Sequence, residues 1–254
     1  MISRQQCRYE WQVFILAVGF LTRLPVPEDP SFTEAKLNGA SRYFPLVGLL
    51  VGFLAALVYV VALAVFANGV IAVLLSMVAS ILITGSFHED GFADSCDGFG
   101  GGWRSEDVLR IMKDSRIGTY GTVGLILILA LKAASVGAMP SASTVCGALL
   151  WGHVFSRWVS TSYLLDLDYV RGEGKSKPLA TTMPLKHWWY SGGVLIPLLF
   201  LIDVTSLGVL LIAAIGFRLG FAAYLRRRIG GYTGDALGAA QQVIEITVYL
   251  AFIL

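Results

Sequence analysis

Charge is scarce in these 254 residues: Asp, Glu, Lys and Arg make up 14%, against roughly 25% in ordinary soluble domains. That shortage excludes a disordered chain and a typical cytosolic enzyme. There is no basic excess either, with 19 Lys and Arg against 17 Asp and Glu. A nucleic-acid-binding domain is therefore excluded, and no nucleic-acid partner is expected. The cysteines, Cys7, Cys96 and Cys146, lack paired spacing, so neither a disulfide framework nor a zinc pattern is present. Cys96, among acidic residues, reads as small apolar filler rather than a soft ligand. No secretory signal is expected. Arg4 and Arg8 would open one, but Glu10 follows, and the run 13–21 meets Thr22, Arg23 and Pro25 without a small-residue cleavage site.

Apolar residues, at 56%, are what is abundant. The expected fold is all-α: one integral membrane domain over 1–254, a polytopic helical bundle of about seven transmembrane helices. Spans are expected at 43–66, 70–87, 119–137, 144–165, 189–202, 207–225 and 239–254. The run 13–21 is short for a span and reads as an interfacial or re-entrant segment. The fifth span is the weakest, being short and holding Pro197. Trp188, Trp189 and Tyr190 before it suit an interfacial aromatic belt, and Asn68-Gly69 suits a tight turn.

The connecting segments alternate in charge. Segments 1–9, 22–42, 88–118, 166–188 and 226–238 hold sixteen of the Lys and Arg residues, and those around 67–69, 138–143 and 203–206 hold none. Basic loops stay cytoplasmic, which places the N-terminus and the three long loops there. Lys132, Arg157 and Arg218 fall inside spans. Lys132 is expected to snorkel outward and Arg218 inward. Arg157, four residues after His153, and Glu245 are functional candidates, because ionisable groups inside a membrane are costly.

One loop carries a carboxylate cluster. Asp90 and Asp94 are four residues apart, and Asp94 and Asp97 three, so all share one helical face. Like charges at that spacing repel unless a cation lies between them. Oxygen ligands of this kind suit Mg²⁺ or Mn²⁺, which complete their shells with water and substrate phosphates. His88 suits an acid/base role or a phosphate contact, and equally a helix end. Gly98-Phe99-Gly100-Gly101-Gly102 is a turn by default and a diphosphate cradle if the metal is present. Ser105 is expected to cap a short surface helix ending near Lys113 and Arg116. Arg171, Lys175 and Lys177 lie in a flexible basic loop suited to phosphate or anionic headgroups. Gly231-x-Thr233-Gly234-Asp235 offers backbone donors, a hydroxyl and a further carboxylate that could complete a metal site.

Together these stretches resemble a known family. His88-x-Asp90-Gly91-x-Ala93-Asp94-x-x-Asp97-Gly98, Lys113-Asp114-Ser115-x-x-Gly118-Thr119-x-Gly121 and Gly231-x-Thr233-Gly234-Asp235-x-Leu237-Gly238 are similar to cobalamin synthase, the adenosylcobinamide-GDP ribazoletransferase family. Phe20–Pro27 and Tyr43–Gly48 are similar too, and Glu245 matches the family's C-terminal acid. Glu89 and Phe92 depart from it, standing where members often carry residues such as leucine.

The resemblance implies an Mg²⁺-dependent transferase in a bacterial inner membrane, with its active-site loops cytoplasmic. It would join α-ribazole or its 5′-phosphate to adenosylcobinamide-GDP, releasing GMP. Asp90, Asp94, Asp97 and Asp235 would hold metal. His88 or a cluster aspartate would act in catalysis. Gly100, Gly101, Lys113, Arg116, Arg157, Arg171, Thr233 and Gly234 would contact substrate. The lipid bilayer is the remaining partner, and self-association into a homo-oligomer is left open. A CDP-alcohol phosphotransferase is the nearest rival, but its pattern has Arg after the Ala and more widely spaced aspartates. A transporter would place its charges at mid-membrane and often show internal repeats, and none is found.

Overall fold

The computed structural model describes residues 4–29, 31–170 and 182–254. Eleven α-helices are seen among the described residues: α1 (Arg4–Leu21), α2 (Glu34–Gly39), α3 (Phe44–Phe66), α4 (Gly69–Thr84), α5 (Phe87–Gly101), α6 (Ser105–Ile111), α7 (Thr119–Gly137), α8 (Ala142–Thr161), α9 (Leu185–Ser191), α10 (Val204–Ile229) and α11 (Gly234–Ala251). The one extended pairing among them is an isolated bridge between Tyr169 and Tyr232. The described residues are thus helical, which satisfies the backbone polar groups of each span internally, as a bilayer demands.

Local signals explain several helix starts. Asn68 starts α4 by accepting from the Ile71 amide at 3.1 Å, Ser141 caps α8, and Asp203 caps α10 through the amides of Thr205 and Ser206. Ser105 is not the cap of α6: Arg104 holds that position, with no side-chain hydrogen bond.

Among the described residues, three stretches are long and apolar enough to cross a membrane: Lys36–Phe66, α7 and α10. Helices α4 and α5 make a fourth only if counted as one broken span, since they meet at 87°. This departs from seven straight spans for physical reasons. The span expected at 70–87 ends at Gly85 (φ 65°) and Ser86 (φ 60°), two consecutive left-handed residues. Glycine suits the first of them, and a Cβ there would also lie 2.4 Å from the Arg23 Nε. The stretch expected at 189–202 is largely a 3₁₀ helix, Gly192–Leu201, with Pro197 inside. Ten residues at about 2.0 Å rise cover about 20 Å, short of the roughly 30 Å hydrocarbon core.

Helices α8 and α11 occupy the places expected but lie in the interior. Helix α8 packs on α3 and α11, and α11 on α5, α7, α8 and α10. Small residues let α3 and α8 touch backbone to backbone. A Cβ on Gly48 would lie 2.2 Å from the His153 carbonyl oxygen, and one on Gly52 2.8 Å from that of Leu149. The outer faces of α3, α7 and α10 expose Phe53, Val61, Ile126, Leu127, Ile212 and Ile215, as lipid-facing helices do. Helix α1 packs Val13, Ala17 and Leu21 against Val47 and Val51 of α3.

Candidate active site

The carboxylates expected on one helical face lie on α5. Asp90 is exposed, Asp94 half-buried and Asp97 buried. Asp90 and Asp94 line a cavity of about 240 Å³ with Glu89, Ser115 and Ile117. Asp97 turns instead to the start of α7, where it accepts from the amides of Gly118 at 2.7 Å and Gly121 at 2.8 Å. A carboxylate here satisfies orphan amides and complements the helix dipole. A Cβ on Gly118 would lie 2.5 Å from one Asp97 oxygen, and a Cβ on Gly121 2.4 Å from the other. Gly121→Ala is therefore expected to push Asp97 off α7 and destabilise the protein by about 2 kcal/mol, the worth of a charge-assisted hydrogen bond. Thermal unfolding in detergent measures it, and an unshifted midpoint would refute the role of Asp97 as cap. Among the described residues, no group of three or more His, Cys, Asp or Glu is drawn together as a ready metal cage.

Gly100 and Gly101 do not form an open loop. They make the last turn of α5, so their amides lie in a helix. Glycine's weak helix propensity is overridden by packing: a Cβ on Gly100 would lie 2.6 Å from the Tyr120 ring. Gly101 and Asp97 do line a second cavity, of about 550 Å³, with Arg110, Asp114, Arg116 and Gly118. The Arg116 guanidinium is paired with Asp114 at 2.7 Å. That pairing holds the Asp114 carboxyl down at about 2. Lys113 is exposed and lines neither cavity. Ile117 lines both, so the two are neighbours.

The second glycine-rich motif is a capped helix start. Thr233 is fully buried, and its hydroxyl accepts from the Ala236 amide at 3.1 Å. Helix α11 then crosses α5 with the backbones in contact. A Cβ on Gly91 would lie 2.9 Å from the Asp235 Cα, and one on Gly238 3.2 Å from the His88 carbonyl oxygen. Asp235, half-buried, is thereby set against the carboxylate helix. His88, Arg157 and Gly234 meet in a third cavity, of about 60 Å³. Arg171, Lys175 and Lys177 lie outside the described residues.

The three basic loops converge where they are described. The Val170 amide donates to Tyr232 at 3.1 Å, and the Tyr232 amide to Asp168 at 2.8 Å. Arg228 donates to the Gly102 carbonyl at 2.6 Å. Asp166 is held by Arg218 and by Arg226, so Arg218 reaches toward the basic loop that follows α8.

Lys132 does the opposite of snorkelling. It is 3% exposed, with its Nζ 3.0 Å from the Glu245 Oε1 and 4.0 Å from the Glu89 Oε1. It also donates to Gln242 at 3.1 Å. Glu245 accepts in addition from Gln241 and Tyr249, both at 2.7 Å. The signal for this network is opposite charge within two apolar segments, Lys132 in α7 and Glu245 in α11, with Glu89 standing where an apolar residue was the family expectation.

A family model described as cobalamin-5-phosphate synthase matches residues 13–253. The chain is 46% identical over 255 residues to a Shewanella amazonensis protein called adenosylcobinamide-GDP ribazoletransferase, covering 96% of each. A Ralstonia pickettii protein of the same name is 45% identical over 244 residues, covering 95% of this chain and 94% of that one. One from Shewanella piezotolerans is 43% identical, covering 98% of each. No solved structure matches the chain.

Proposed function

The chain belongs to the cobalamin-5-phosphate synthase family, and from that premise we infer that it is an adenosylcobinamide-GDP ribazoletransferase. The observation that carries this reading is the match along nearly the whole chain, residues 13–253. The enzyme joins α-ribazole, or its 5′-phosphate, to adenosylcobinamide-GDP. The acceptor hydroxyl oxygen bonds to the phosphorus that bears cobinamide, and the bond from that phosphorus to GMP breaks. GMP leaves with the bridging oxygen, and adenosylcobalamin or its 5′-phosphate forms. The hydroxyl proton passes to a base, for which His88, Asp90 and Asp94 are the candidates.

A diphosphate substrate asks for a divalent cation, and the residues here fit one. Asp90 and Asp94 line one cavity and offer carboxylate oxygens one helical turn apart. Mg²⁺ is bound this way, through one or two carboxylates plus water and substrate phosphates. Asp90 and Asp94 would hold it, with Asp235 as a contributor from α11. When bound, magnesium supplies charge neutralisation on the attacked and leaving phosphates. The protein's own part is to fix the carboxylate face and bring α11 against it. Arg116 and Gly101 stand at the adjoining cavity, where the GMP portion would lie.

Asp235→Ala tests the second element. It is expected to raise the Mg²⁺ requirement or the KM for adenosylcobinamide-GDP by about tenfold, the scale of lost supporting contacts. Unchanged magnesium dependence, affinity and rate would make Asp235 a helix-start residue only.

The proposed setting is a bacterial inner membrane, with the N-terminus and the three long loops cytoplasmic. The distribution of Lys and Arg supports it. In a Cys7→Ser background, a cysteine at Trp103, which is 93% exposed, is expected to resist an impermeant thiol reagent in intact cells and react after lysis. Reaction from outside would overturn the orientation. For the activity itself, expression in a bacterium deprived of its own ribazoletransferase is expected to restore cobalamin formation. Failure to do so with the protein present in the membrane would contradict the reading.

A further inference from the structure

Arg157 is 2% exposed and makes no ion pair among the described residues. Its Nη1 donates to the His153 carbonyl at 2.9 Å and lies 3.3 Å from the His153 Nδ1. Its Nε has no hydrogen-bond partner. A buried donor without an acceptor is expensive, and the unfilled Nε points to a group that it receives.

The cavity it lines shows what group fits. His88 of α5 and Gly234 of α11 share that cavity, and no carboxylate lines it. Asp90, Asp94, Asp97 and Asp114 line the two more polar cavities instead. Gly234 is the first residue of an 18-residue helix, and a Cβ on it would meet nothing within 4 Å. The amides of such a helix start, with the dipole behind them, favour an anion. Phe20, Phe44 and Phe87 form apolar walls, and a low-dielectric wall strengthens the attraction. The volume, about 60 Å³, is several times the roughly 10–15 Å³ one water needs. That is room for one phosphoryl group and too little for a nucleotide.

We propose that His88, Arg157 and the start of α11 form a phosphoryl-binding cradle separate from the carboxylate-lined cavities. The identity of the ligand rests on the ribazoletransferase reading. The phosphoryl group belongs either to the diphosphate of adenosylcobinamide-GDP or to the 5′-monoester of α-ribazole 5′-phosphate.

Two variants and two readouts test it. Arg157→Gln removes the charge. Gly234→Val fills the open space beside the helix start without a clash, so it serves if Arg157→Gln does not fold. Without any substrate, inorganic phosphate is expected to raise the melting midpoint of the wild-type protein in detergent, and chloride at equal ionic strength is not. The shift is expected to vanish in both variants. This arm needs no turnover, so it stands or falls apart from the assigned activity. In the assay, KM is expected to rise roughly ten- to hundredfold. A rise for α-ribazole 5′-phosphate but not for α-ribazole identifies the acceptor's monoester. A rise for adenosylcobinamide-GDP with either acceptor identifies the diphosphate. The proposal is overturned if phosphate stabilises the folded variants as well as the wild type, or if neither KM moves.

Discussion

Asp94→Asn combined with Asp90→Asn is expected to leave a folded, inserted protein whose turnover falls at least about a hundredfold. The two carboxylates lie a turn apart on α5 and line one cavity. Repulsion at this spacing is a small cost to the helix, and Asp90 is exposed, so folding gains little from Asp90. If the pair holds the proposed metal, its loss removes more than the ten- to hundredfold seen when only supporting partners of a ligand are lost. Lowering magnesium is expected to worsen either single variant. Normal turnover of the double variant at limiting Mg²⁺ would sink the idea. Asp97→Asn should behave differently. Asp97 binds the amides of Gly118 and Gly121, and an amide side chain can accept at one oxygen only. Its change is expected to lower the melting midpoint as well as the rate.

The second large effect concerns stability. Lys132→Met is expected to destabilise the protein by about 3–5 kcal/mol, the cost of breaking a buried pair by removing one partner. Glu245 and Glu89 would then share the interior without the Lys132 cation. The melting midpoint should fall by roughly 10 °C at about 2–4 °C per kcal/mol. Combining Lys132→Met with Glu245→Gln is expected to recover part of the loss, because the larger uncompensated charge is gone. If the single variant melts like the wild type, the ion pair of 3.0 Å does not hold these helices together.

The helical class was legible because long apolar runs admit little else in a membrane. The run 70–87 did not reveal its bend. That bend rests on two left-handed residues, Gly85 and Ser86, and on Arg23 packed against the first, and apolar composition is blind to both. The glycines at 98–102 suggested a loop, yet α5 continues through Gly101 because Met112, Val108 and Tyr120 fill the space their missing side chains leave. The shared face of Asp90, Asp94 and Asp97 was readable from spacing alone. That Asp97 caps α7 was not, since its partners lie more than twenty residues on. The burial of Lys132 is not legible in the sequence because its partners, Glu245 and Glu89, come from α11 and α5, and no local pattern links them.

Purified protein in detergent, given adenosylcobinamide-GDP and Mg²⁺, tests the central claim most directly when GMP release is followed with and without ribazole. GMP should appear only when α-ribazole or its 5′-phosphate is added, in amounts equal to the cobalamin product, and the Asp90→Asn, Asp94→Asn double variant should release almost none. GMP release that ignores the acceptor, or an equal burst from the double variant, would contradict the account.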